Sequence, residues 1–154
     1  MPLIHEFLIA PKIGFELNQI ARNNNGRINK IKSGIDYLVE LDDELFQYFS
    51  DTLKWIPNET GNRFGLNYYG LTDIYPNGAS VLKKIITGWY EIFENAPNEI
   101  KLTGNYFWRD QIDKGEYEKI EVRKANLLKI LSELITLCNL VEDNDDLIIL
   151  HLGI

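Results

Sequence analysis

The spacing of apolar positions changes along the chain, and the changes mark the elements. Leu3 to Ile9 is a short apolar and aromatic run stopped by Pro11, which predicts a strand. Phe15 to Lys32 has no clear period. It contains Asn23-Asn24-Asn25-Gly26, a turn-forming cluster, flanked by short helix or irregular structure. Ile35, Tyr37 and Val39 alternate with Asp36, Leu38 and Glu40, predicting a strand over 35–41 in which Leu38 breaks the period. Leu45, Phe46, Phe49, Leu53 and Ile56 then share one helical face, ended by Pro57 and Gly61. Asp42 and Asp43 stand at the start of that helix, where carboxylates accept from free N–H groups and favour the positive end of the dipole.

Residues 61–76, rich in Gly, Asn and Tyr, read as loop with strand-like pieces at Leu66–Tyr69 and Leu71–Tyr75. A second helix opens at Asn77-Gly78-Ala79-Ser80. Val81, Leu82, Ile85, Ile86, Trp89 and Phe93 form its apolar stripe, and Pro97 closes it. Ile100–Phe107 and Tyr117–Val122 read as the arms of a hairpin turning through Asp110, Asp113, Lys114 and Gly115. Asn126–Val141 is the most apolar helix, with Leu127, Ile130, Leu131, Leu134, Cys138 and Val141 on one face, so it belongs at the centre. A polar break, Glu142–Asp146, precedes a final strand, Leu147–Leu152. The pattern predicts one α+β domain over 1–154, with a mixed or antiparallel sheet and three principal helices.

Composition narrows the class. The 154 residues are 45% hydrophobic and 25% charged, which excludes a disordered chain or a coiled coil. The single cysteine, Cys138, forms no internal disulfide and sits in an apolar helical pattern, so it reads as a small buried hydrophobe in a reducing compartment. Met1–Glu6 lacks the basic start of a signal peptide, and no apolar run approaches the roughly 20 residues of a membrane span. A cytoplasmic protein without membrane or nucleic-acid partners is expected, since phosphate affinity comes from Lys and Arg and the net charge is −7.

Few residues offer chemistry. His5 and His151 lie in the two terminal strands. If those strands pair, the rings meet, and with Glu6 or Asp146 they form a metal site or an acid–base pair. Neither histidine belongs to a spaced ligand motif, so a structural role is the plainer reading. Asp143-Asn144-Asp145 lacks the glycine and closing acid of a calcium loop. Gly61-Asn62-Arg63-Phe64-Gly65 lacks the ending of a phosphate loop, and no serine sits in a nucleophile elbow. A non-enzymatic chain without cofactor or metal is expected. Phe64, Tyr68, Tyr69, Tyr75, Tyr106, Phe107 and Trp108 lack the interleaved cations of a base-stacking platform and suit core and interface packing better.

Charge is unevenly spread. Residues 1–34 carry five basic and two acidic residues, whereas 35–60 carry one basic and seven acidic, and 125–154 one basic and five acidic. The acidity sits in Asp36–Asp51 and Glu142–Asp146. Such runs are ordinarily solvated, but if the two stretches converge they form a recognition face for a basic partner.

The segment Gly88-Trp89-Tyr90-Glu91-Ile92-Phe93-Glu94-Asn95-Ala96-Pro97, the following Ile100–Tyr106 and the ending Ile149-Leu150-His151-Leu152-Gly153-Ile154 resemble bacterial immunity proteins. These protect cells from polymorphic or contact-dependent growth-inhibition toxins. The resemblance implies a cytosolic, non-enzymatic protein that binds a cognate toxin domain, a basic nuclease in the plainest case, and occludes its active site. It carries over no individual contact residue. The charge pattern nominates Asp36, Glu40, Asp42, Asp43, Glu44 and Asp51, then Glu142, Asp143, Asp145 and Asp146, with Tyr68 and Tyr69 as aromatic anchors. Two alternatives stand beside this: a small enzyme using His5 and His151, and a structural or regulatory adaptor that self-associates.

Overall fold

The computed structural model describes residues 3–58, 63–108 and 114–154. Along the chain run β1 (Ile4–Pro11), a 3-10 turn (Leu17–Gln19), β2 (Leu38–Asp42), α1 (Asp43–Leu53), β3 (Leu71–Ile74), α2 (Pro76–Glu94), β4 (Glu99–Phe107), β5 (Glu116–Arg123), α3 (Lys124–Glu142) and β6 (Leu147–Leu152). β2, β1, β6 and β3, in that order, form one antiparallel sheet, and β4 and β5 form a second. The α+β class, the three principal helices and the hairpin match the sequence pattern. The predicted turn residues Asp110 and Asp113 lie outside the described residues, as do Gly61 and Asn62.

β1 and β6 are central strands covered on both faces, which is why their sequences are nearly continuous apolar runs. Phe7, Val39, Leu41, Ile74 and Ile149 face the helices and join one core with Phe46, Phe49, Leu82, Leu131 and Leu134. Leu8, Ala10, Ile148 and Leu150 face the other way and pack with Ile28 and Ile35 from the long connection between β1 and β2. Leu38 interrupts the alternation of β2 because it packs against this second cluster. The helices carry most of their predicted buried faces; in α3, Leu127, Leu131, Leu134, Cys138 and Val141 are buried as predicted, Leu137 joins them and Ile130 is only partly buried. Cys138 is fully buried, and burial pushes its thiol up to about 12, so it is a packing residue.

Several boundaries differ from the sequence pattern. The strand predicted over 35–41 forms only over Leu38–Asp42, because Ile35 packs into the second cluster from irregular chain and Tyr37 is exposed. α2 begins at Pro76, whose missing N–H costs nothing at a first helical position. Leu66–Tyr69 is not a strand; its Tyr68 carbonyl instead accepts from the Ile154 N–H at 3.1 Å. Asp42 occupies the N-cap of α1 but makes no side-chain capping bond. The neighbouring Asp43 carboxylate turns inward, for a reason given by its partners below.

Candidate functional site

β1 and β6 place His5 and His151 on the helix side of the sheet, next to each other. His5 Nδ1 lies 3.0 Å from His151 Nε2, and His5 Nε2 lies 3.1 Å from Asp43 Oδ1. Both rings are 0% exposed. His5 stacks on Phe46 with ring centroids 3.6 Å apart, and Phe7 and Phe46 border His151. The carboxylate beside the pair is therefore Asp43, not Glu6 or Asp146. Glu6 projects to the opposite face of β1, where it accepts from the Ile28 N–H at 2.8 Å and Arg22 at 3.1 Å. Asp146 lies at the far end of the sheet, its carbonyl accepting from the Lys12 N–H.

Proton positions follow from donor counting. A carboxylate only accepts, so His5 donates from Nε2 and accepts at Nδ1. His151 then donates from Nε2, leaving its Nδ1 lone pair buried without a partner among the described residues. Burial, reinforced by His5, pushes the His151 imidazole down to about 3. Burial also holds His5 below the ordinary histidine range, against the pull of Asp43. Both rings are neutral at pH 7.

The polar chain continues outward. Tyr68 donates its hydroxyl to Asp43 Oδ2 at 2.9 Å, and Gln47 Nε2 donates to the same oxygen at 2.7 Å. Burial, then the bond to Asp43, pushes the Tyr68 hydroxyl up to about 12. Gln47 Oε1 accepts from Asn105 Nδ2 on β4. One hydrogen-bonded path thus runs from β6 through β1 and α1 to the hairpin. Asn105 falls where the β4–β5 register shifts, so a side chain at an irregularity makes the bond.

The part of the first acidic stretch at the start of α1, Asp42–Glu44, does not meet Glu142–Asp146. Asp42 pairs with Ile4 at one end of β1, whereas Asp146 meets Lys12 just past its other end. Eight strand residues separate those ends by about 25 Å. Several nominated carboxylates are also engaged internally. Glu40 pairs with Arg27 at 2.8 Å, Glu142 with Lys83 at 2.7 Å and Asp51 with Lys54 at 2.8 Å. Asp43 and Tyr68 belong to the buried network, so neither is a free surface anchor. Asp36, Asp42, Glu44, Asp143, Asp145 and Asp146 are exposed, and Tyr69 is 74% exposed.

A different acidic grouping forms between α1 and the hairpin. A polar cleft of about 420 Å3 is lined by Glu44, Gln47, Asp51, Lys54, Asn105 and Glu118. Glu118 comes from a segment whose net charge is zero, so charge counting passed over it. Partial desolvation, then the neighbouring charges of Glu118, Asp42 and Asp43, raise the Glu44 carboxyl. Tyr106, Trp108 and Tyr117 stand towards the hairpin end, 49%, 66% and 60% exposed, and Tyr117 lines a neighbouring depression with Glu44 and Glu118. Tyr106 and Tyr117 are cross-strand partners, a relation readable from their similar distance to the predicted turn.

Among the described residues no group of three or more His, Cys, Asp or Glu side chains is arranged to hold a metal ion, and no helix is long and apolar enough to cross a membrane. Compared with protein-family models, curated proteins and solved structures, the chain matches none of them.

Proposed function

We propose that this protein is an immunity protein, which binds a cognate bacterial toxin domain with a basic active site and occludes that site. The observation that carries the reading is the α1–hairpin cleft, where Glu44, Asp51 and Glu118 face a single cation, Lys54. A nuclease must gather phosphates with Lys and Arg, so its active site attracts carboxylates held in a rigid arrangement. Such complementarity accelerates encounter and fixes the docking register. The likeness of the Gly88–Tyr106 segment and the chain ending to immunity proteins points the same way. A cytoplasmic site of action belongs to this proposal, because such inhibitors meet toxin inside the cell.

The test is co-expression with the C-terminal domain of a secreted toxin encoded beside this gene. Restored growth and a co-eluting complex support the reading; continued killing with no complex refutes it.

The enzymatic alternative draws on one observation, the convergence of His5, His151 and Asp43. Its difficulty is access, since both rings are sealed beneath Phe46 and Phe7. General acid–base work needs a ring nitrogen within reach of a substrate proton. The network therefore reads better as a polar joint between sheet, helix and hairpin.

A further inference from the structure

We infer that the outward face of the β4–β5 hairpin, centred on Tyr106, Trp108 and Tyr117, is the anchor by which this chain docks on a basic folded protein domain. The inference rests on the binding role proposed above and names the surface that performs it.

The hairpin has two unlike faces. Ile100 and Ile120 are buried against the main core, and Leu102 and Val122 pack on it. On the other face the base is neutralised by cross-strand ion pairs, Glu99 with Arg123 and Lys101 with Glu121. Towards the tip that face becomes aromatic. The Tyr106 ring lies 5.0 Å from Tyr117 and 6.0 Å from Trp108, both edge-on. A methyl group at Gly115 would run into the Tyr106 ring, so the glycine lets that ring lie close to the backbone. Three rings are thus held against one another while about half or more of each stays in water. Tyr and Trp lose little freedom on binding and dominate interface energetics, whereas exposed rings contribute little to folding.

Charge selects the occupant. The hairpin end overhangs the start of α1, where Glu44 and Glu118 share a depression with Tyr117 and Lys119. A docking partner seated on the rings and reaching past the hairpin edge meets the Glu44 and Glu118 carboxylates against one lysine there. A cationic rim is favoured there, and an acidic one is repelled. A second copy of this acidic chain would bring like charges together, which disfavours self-association through the same face.

The experiment uses the full chain and the C-terminal toxin domain as probe. Tyr106→Ser combined with Tyr117→Ser is titrated beside Ile31→Ser, a control at a 91% exposed apolar position elsewhere. The double variant is expected to weaken binding about 30-fold or more, as loss of a central anchor does, while the control matches the parent. Amide chemical shifts of the unaltered chain, followed on adding the domain, should move mainly in 101–108 and 114–121, a readout independent of variant folding. Parent-like affinity of the double variant, or shifts confined to other surfaces, overturns the assignment and leaves the binding role intact. No binding by the unaltered chain overturns both. A dimer in sedimentation that the double variant dissolves assigns the face to a second copy and likewise overturns the proposal.

Discussion

At the scale of single residues, the His5–His151–Asp43 chain has an energetic asymmetry. Its outer end is satisfied three ways on Asp43, while its inner end leaves His151 Nδ1 without a partner. A buried unpaired acceptor costs about 1–3 kcal/mol, so the chain does not add stability at every link. His5→Phe or His151→Phe alone strands a polar group and should each cost about 1–3 kcal/mol in urea unfolding. His5→Phe with His151→Phe removes both, and its cost should fall well below the sum, a coupling that a double-mutant cycle reads. The pH dependence follows from the same burial. The folded His151 holds its proton only below about 3, whereas an unfolded histidine takes one near 6.5. Between those values the unfolded state binds more protons, so stability should fall as pH drops from about 6.5 towards 3. Thermal midpoints across that window test it, and His151→Phe should flatten part of the slope.

At the scale of elements, two junctions carry more than their length suggests. β6 is followed by Gly153, whose N–H donates to the Gly70 carbonyl at 2.7 Å. A methyl group there would overlap the carbonyls of Asn67 and Tyr68. Those atoms are backbone and cannot swing aside, so Gly153→Ala should destabilise by about 1–3 kcal/mol in denaturant unfolding. The strain should also loosen the bond from Tyr68 to Asp43, since Tyr68 moves with its backbone. The second junction is Gln47, the only described residue seen here to join Asp43, Tyr68 and Asn105 by hydrogen bonds. A two-stranded sheet is marginal by itself and depends on what it packs against. Gln47→Ala should leave the four-stranded sheet protected and raise amide exchange in β4 and β5, measured by hydrogen–deuterium exchange. Equal protection in the variant would show that the Ile100 and Ile120 contacts suffice.

At the scale of the whole molecule, charge is partly consumed by the fold. The basic early segment lies across the outer face of the sheet, where Arg22 meets Glu6 and Arg27 meets Glu40. Two carboxylates that looked available are thereby answered within the chain. What stays on the surface is split between the sheet's opposite ends and the α1–hairpin cleft. Binding through that cleft should weaken as salt rises, mostly through a slower association rate, because screening acts on encounter. Glu44→Gln with Glu118→Gln should reduce that salt dependence in stopped-flow association, while dissociation changes less.

The helices were legible before folding because each buries one face, and burial imposes a period near 3.6 on the residues themselves. The terminal strands were legible as apolar runs, and even the meeting of His5 with His151 followed once those strands were allowed to pair. Other features depend on contacts far apart in the chain, which no local period records. Asp43 suits a helix cap as well as it suits a partner for His5, and only the approach of β1 selects between them. Ile28 lies in irregular chain, and Ile35, which alternates as a strand residue would, does too, so their common burial appears only when that chain crosses the sheet. Tyr68 and Tyr106 look alike as residues; one is drawn to Asp43 and the other left facing water. The acidity was visible as a sum and as two stretches, but charges act through distance. A strand about 25 Å long parts Asp42 from Asp146, and the packing of the hairpin on α1 brings Glu118 to Glu44 instead.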